Sequence, residues 1–193
     1  ASHELRTPIS VIRNNIELLN KLKQNAVSQD DSKFAQIIDR IDRASLTMKH
    51  LSETLLWLSR EDSETLPSQH VDIAQQINQL SDEMQYLLAN KNIELSISTH
   101  AHVMVLAEIP ARIILANLIR NAFQHTNQGE ITIQQTGNTV IITNTETHAE
   151  SEASTQDLGF GLGIQLTEQL AEKLAWDYQK SHDKNTYQVT ITF

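Results

Sequence analysis

The chain has 193 residues, a formal net charge of −9, 39% apolar and 20% charged residues, and no cysteine. That balance suits a globular protein of one domain or two small ones. It excludes a disulfide framework, a thiolate metal site and a cysteine nucleophile, and the lack of any basic stripe argues against nucleic acid as a partner. The charge is unevenly placed. Residues 1–62 carry nine Lys/Arg and nine Asp/Glu, whereas residues 63–193 carry six and fifteen, a difference that points to two units with different tasks.

In chain order, Leu5, Ile9, Ile12, Ile16 and Leu19 recur at steps of 4, 3, 4 and 3, the seam of a helix in a bundle. The polar stretch Asn25–Asp31 reads as a turn. Phe34, Ile37, Ile41, Ala44, Met48, Leu51, Leu55 and Leu58 then repeat the spacing, which predicts a longer helix from about Asp31 to Arg60. A helical hairpin buries its stripe on one side only, so two copies should form a four-helix bundle, and a homodimer is expected. Glu61 to Gln69, with Pro67, is the linker. Beyond it the texture changes. A short strand at His70–Ile73 and a helix from Ile73 to about Asn90 are followed by a half-buried strand at Ile93, Leu95 and Ile97 and another at Val103 and Val105. Pro110 can open a helix that runs to about His125. Strands at Ile131–Ile133 and Val140–Thr143 flank a Gly137-Asn138 hairpin turn. Thr145 to Leu158 reads as a loop, Gly161 to Ala175 as a helix, and Trp176–Lys180 with Thr186–Phe193 as a closing hairpin. The second unit is thus a mixed sheet covered by helices.

Three stretches can carry chemistry. Ser2-His3-Glu4-Leu5-Arg6-Thr7-Pro8 sets His3 and Thr7 on one helical face, beside a carboxylate and just ahead of a proline kink; the alternative is a solvated first turn. Asn117 and Asn121 are one turn apart, and neutral amide oxygens can ligate Mg²⁺ without cancelling its charge; the alternative is a polar exposed face. Gly159, Gly161 and Gly163, three of only five glycines, open a helix whose free N–H groups suit a phosphate chain, although such triplets serve packing and turns as often.

In order and spacing, SHELRTP, Asn117-Leu118-Ile119-Arg120-Asn121-Ala122-Phe123-Gln124-His125-Thr126 and Gly159-Phe160-Gly161-Leu162-Gly163 resemble the H-box, N-box and second glycine box of the sensor histidine kinases of two-component systems. The resemblance implies a dimerisation and histidine phosphotransfer domain at residues 1–63. It implies, at 64–193, an ATP-binding catalytic domain, an α/β two-layer sandwich of the type shared with gyrase and Hsp90. It implies that His3 accepts the γ-phosphoryl group of ATP, that Glu4 orients and deprotonates its ring, and that Thr7 holds a water for dephosphorylation. Asn121 resembles the Mg²⁺ ligand and Asn117 its companion near the phosphates. His125 could approach a phosphate, and Gly159, Gly161 and Gly163 resemble the lid-to-helix glycines. The implied partners are a second copy and a response regulator receiver domain; from position alone, the receiver is expected to dock below His3 across Ser10, Asn14, Asn15 and the start of the second helix. The implied setting is the cytoplasmic portion of an inner-membrane sensor protein, with membrane contact only through a region upstream.

The pattern breaks at the first glycine box. Thr143-Asn144-Thr145-Glu146-Thr147-His148 puts Asn144 where the family has an aspartate that accepts from the adenine amino group, and both glycines are missing. An amide oxygen still accepts that bond, without charge assistance. Between Arg120 and Lys173 there is no Lys or Arg and there are seven acidic residues, so ATP binding should be weak and steeply Mg²⁺-dependent. If the ATP domain is degenerate, the protein becomes a response-regulator phosphatase or a non-catalytic phosphotransfer or scaffold protein.

Overall fold

The computed structural model describes residues 9–19, 31–60, 67–147 and 160–193. The expectations placed on His3, Glu4, Thr7 and Gly159, and most of the acidic loop, lie outside them. Helix α1 spans residues 9–19 and α2 spans Asp31–Leu58. On α2 the expected stripe faces inward: Ile37, Ala44 and Leu51 are buried, and Phe34, Ile41, Met48, Leu55 and Leu58 are half-buried. Ile9 and Ile16 on α1, and Ile38 and Leu56 on α2, remain 45–62% exposed, so one copy leaves much of its apolar surface uncovered. Asn15 departs from expectation. It is buried, and its Nδ2 donates to Val11 O at 2.7 Å within its own helix, which removes it from any docking surface; Ser10 and Asn14 are exposed.

The second unit opens with β1 (Gln69–Asp72), antiparallel to β3 (Val103–Leu106). Asp72 ends the strand and caps α3 (Ile73–Met84): its Oδ1 accepts from Ala74 N at 3.0 Å and Gln75 N at 3.4 Å, satisfying donors that the helix cannot. The helix expected to reach Asn90 gives way to a 3₁₀ turn at Gln85–Leu88, and Asn90 turns the chain at φ 63°, a left-handed conformation that asparagine tolerates. Strand β2 (Asn92–Ser98), helix α4 (Glu108–His125), β4 (Gln128–Thr136), β5 (Thr139–Glu146), α5 (Phe160–Lys173), β6 (Asp177–Asp183) and β7 (Thr186–Thr192) complete the fold. Five strands form one sheet in the order β2-β4-β5-β7-β6, with β2 and β4 parallel and the other pairs antiparallel.

Alternation along the strands puts Ile131, Ile133, Val140, Ile142, Val189 and Ile191 on one buried face, and α4 supplies Ile114, Leu115, Leu118, Ile119 and Phe123 against it. Helices on one face of one sheet make the expected two-layer sandwich. The Gly137-Asn138 turn is present, with a positive φ of 58° only at Gly137, as a type II′ hairpin requires. Strand β5 runs on to Glu146, beyond the loop start expected at Thr145, because its ladder with β7 continues through Thr145↔Thr186.

Helix α2 also packs against α4 and α5. Leu51 and Leu166 are buried together with Leu55 and Leu58 beside them, each full burial being worth about 1.5–3 kcal/mol. Lys173 Nζ donates to Leu58 O at 2.9 Å, to Trp57 O at 3.4 Å and to Arg60 O. A cation on the second unit thereby satisfies the orphan carbonyls at the C-terminus of α2.

Candidate functional site

The site begins where the core face of β5 runs out of apolar residues. Val140, Ile142, Asn144 and Glu146 share that face by the two-residue period of a strand; the first two are buried and the last two half-buried. Ile142, Asn144 and Glu146 border a cavity of about 210 Å³. Helix α4 contributes Leu118, Asn121, Ala122 and His125, α5 contributes Ile164, and β7 contributes Tyr187 and Val189. Strand β6 adds His182, and the β6–β7 turn adds Lys184 and Asn185. The tip of this hairpin is tied to β5 by Glu146 N donating to Asn185 O at 2.9 Å. Of the residues expected to bind a cofactor, the structure therefore brings Asn121, His125 and Asn144 to one cavity.

Asn117 is placed elsewhere. Its face of α4 meets α2 and α5, and the side chain is 8% exposed. Nδ2 donates to Thr54 Oγ1 and to Thr167 Oγ1, both at 3.2 Å, and Oδ1 lies 3.4 Å from Arg120 Nη1. Thr54 and Thr167 spend their own protons on His50 O at 2.8 Å and Gly163 O at 2.7 Å. Both amide protons of Asn117 are thus used within a closed buried network, and the exposed face does not describe it. Gly161 and Gly163 lie in the first turn of α5. A Cβ added at Gly163 meets nothing within 4 Å, so the fold itself does not require glycine there.

Charge near α4 is set by burial. Arg120 is held down to about 10, first by desolvation, with Tyr86 and Glu53 opposing; it stays charged at neutral pH. His50, whose Nδ1 is 3.3 Å from Glu53 Oε2, is pushed down to about 4 by burial, then by Arg120 and Lys49. Its ring is neutral, and the contact is a hydrogen bond rather than an ion pair.

Several residues escaped the sequence reading. Lys184 lies beyond the cation-free interval that ends at Lys173, and only the return of the last hairpin beside β5 brings this cation to the cavity. His182 on β6 reaches the cavity by the same return of the chain. Lys91 donates to Phe123 O, Gln124 O and Thr126 O, each at 2.8 Å. It closes the C-terminus of α4 and fixes the turn that carries Asn121 and His125. A lysine facing three carbonyls 32 to 35 residues away leaves no local signal.

The lining fits a nucleotide base. Leu118, Ala122, Ile142, Ile164 and Val189 supply apolar walls, and Asn144 supplies an amide at the edge. The volume lies below the roughly 300–1,000 Å³ of pockets that enclose a whole drug-sized ligand, which suits one ring system with the rest of the ligand outside. Among the described residues no side-chain hydrogen bond engages the Asn121 amide, so its oxygen is available to a hard cation such as Mg²⁺.

Residues 1–64 match the His Kinase A (phospho-acceptor) domain. Sensor histidine kinase SpaK of Bacillus subtilis is 25% identical over 201 residues, covering 100% of this chain and 39% of its own length. The chain therefore spans well under half of that relative. Among solved structures, the histidine kinase AdeS of Acinetobacter baumannii superposes with a TM-score of 0.63 at 19% identity, over 99% of this chain and 96% of that one. Histidine kinase ThkA in complex with response regulator protein TrrA gives 0.62 at 15% identity, over 99% of this chain and 59% of that one. At these identities the structures show a shared fold. The phospho-acceptor match over residues 1–64, the similarity to curated sensor histidine kinases and the fold shared with histidine kinase structures make the chain similar to the sensor histidine kinases.

Proposed function

We propose that this chain is the catalytic core of a two-component histidine kinase, with residues 1–63 as dimerisation and phosphotransfer domain and residues 64–193 as ATP-binding domain. The observation that carries the reading is the cavity that gathers Asn121, His125 and Asn144 between α4, α5 and the sheet. Asn144 meets the base, and Asn121 and His125 face the phosphates. Gly159, Gly161 and Gly163 let backbone approach the phosphate chain. Mg²⁺ held by Asn121 supplies neutralisation of phosphate charge.

A neutral ring nitrogen of His3 attacks the γ-phosphorus: a P–N bond forms, the bond to the ADP oxygen breaks, and Glu4 takes the ring proton. General-base help of this kind contributes about 10²–10⁴-fold, and positioning does most of the remainder. The P–N bond then breaks as a receiver-domain aspartate takes the phosphoryl group, and Thr7 positions the water that later removes it. The exposed Ile9, Ile16, Ile38 and Leu56 support a homodimer through the hairpin. The fold shared with ThkA, solved with its response regulator, supports a receiver-domain partner. Relatives that are sensor proteins support a membrane-attached whole; among the described residues no helix is long and apolar enough to cross a membrane.

Incubating the chain with γ-labelled ATP and Mg²⁺ tests this. Acid-labile label that disappears in His3→Gln is expected, and no label in the wild-type chain refutes the kinase. Two observations favour a second reading: Asn117 is engaged at the α2 junction, and Asn144 offers no charge to an adenine. In that reading the protein mainly dephosphorylates its regulator, an activity lost in Thr7→Ala; absence of both activities leaves a scaffold.

A further inference from the structure

We propose that Asn144, Glu146 and Lys184 read the base edge, and that the cavity admits guanine nucleotides alongside adenine nucleotides. This rests on the nucleotide reading above and names its base specificity.

Asn144 and Glu146 stand two residues apart on the same face of β5, and the β6–β7 turn brings Lys184 to the same cavity. Their bonding capacity is largely unspent. Among the described residues no side-chain hydrogen bond fixes the Asn144 amide, and no carboxylate lies within ion-pair distance of Lys184. Glu146 uses Oε1 to accept from Asn127 N at 3.2 Å, and no hydrogen bond is made to Oε2 among the described residues. Lys184 also occupies a conformation that L-residues avoid, with φ 41° in a two-residue hairpin turn. Glycine would hold that turn without strain, and the lysine side chain that stands there instead borders the cavity.

The chemistry separates the two purines. Adenine offers an amino donor and ring acceptors, whereas guanine offers the O6 and N7 acceptors and an N2 amino donor. A carboxamide carries both a donor and an acceptor, so a half-turn of Asn144 serves either base, and a carboxylate only accepts. Glu146 therefore finds guanine's N1–H and N2 amino group where adenine has no matching donor. Lysine pairs with guanine O6 and N7. One ambivalent group, one acceptor and one cation match guanine at least as well as adenine.

Calorimetric titration of Mg-ATP and Mg-GTP into the full chain tests the proposal. GTP should bind within tenfold of ATP. Asn144→Asp, which leaves only acceptors facing O6 and gives the adenine amino group a charge-assisted acceptor, should weaken GTP at least tenfold relative to ATP. Glu146→Gln keeps an acceptor for Asn127 and should weaken GTP at least fivefold more than ATP. Lys184→Gly should raise the melting temperature while weakening GTP, a pair of opposite signs that a structural role does not produce. ATP binding with GTP more than tenfold weaker overturns the proposal and leaves the nucleotide reading intact. So do variants that weaken both nucleotides equally. If neither nucleotide binds, the nucleotide reading fails and this proposal with it.

Discussion

Two asparagines one turn apart on α4 have opposite fates. Asn117 is buried between three helices with both amide protons donated and its oxygen facing Arg120. Asn121 is half-buried at the cavity, with no side-chain hydrogen bond among the described residues. The difference shows how one helix serves two tasks. A polar group closed on itself specifies a packing arrangement, because leaving any member unpaired is expensive in a buried site. A polar group left open at a cavity contributes little to the fold and is available to a ligand.

The most drastic way to disturb the cavity side is Gly129→Ala. Gly129 has φ +133°, and an added Cβ would stand 2.0 Å from Thr145 O, beside Glu146 in the ladder. Clash and backbone strain together should cost on the order of 4 kcal/mol, seen as a shifted midpoint in urea unfolding. Asn117→Ala strikes the closed network and should cost about 2 kcal/mol, with α2 released from α4 as faster amide exchange over residues 50–58. A third test uses pH. His50 has its folded pKa lowered to about 4 from 6.5, so between these values the unfolded chain binds the proton first. Stability is therefore fully present above about pH 6.5 and falls as pH drops toward 4, by about 1–2 kcal/mol after discounting for the ring's partial exposure. His50→Gln should flatten that slope.

Smaller effects sharpen the contrast. Helix α5 ends in a Schellman arrangement, with Trp176 N donating to Ala171 O at 2.9 Å and Ala175 N to Glu172 O at 3.0 Å. Ala175 occupies its left-handed position at φ 56°, where glycine is preferred. Ala175→Gly should stabilise by about 0.5–1 kcal/mol without touching the cavity. Asn121→Ala should change stability by no more than about 0.5 kcal/mol while weakening Mg-ATP binding at least tenfold. Equal stability losses in Asn117→Ala and Asn121→Ala would erase the distinction.

Much of this molecule was legible from residue order. The 3/4 spacing of α2, the alternation of the strands, the Gly137-Asn138 turn and the run of helices and strands depend on local periodicity and turn chemistry, which each segment carries within itself. Motif spacing likewise nominated Asn121, His125 and Asn144, because each lies on an element whose position the pattern fixes. What only the tertiary structure decided are relations between distant segments. Nothing near Asn117 says that Thr54 and Thr167 close on it, since the three come together only when α2 docks on α4 and α5. Nothing near Lys91 names the carbonyls of Phe123, Gln124 and Thr126. The strand order β5-β7-β6 carries Lys184 back to Asn144 and Glu146, across nearly forty residues of chain. Periodicity reports which face of an element is apolar; which polar groups satisfy one another, and which are left open, is settled only when the elements meet.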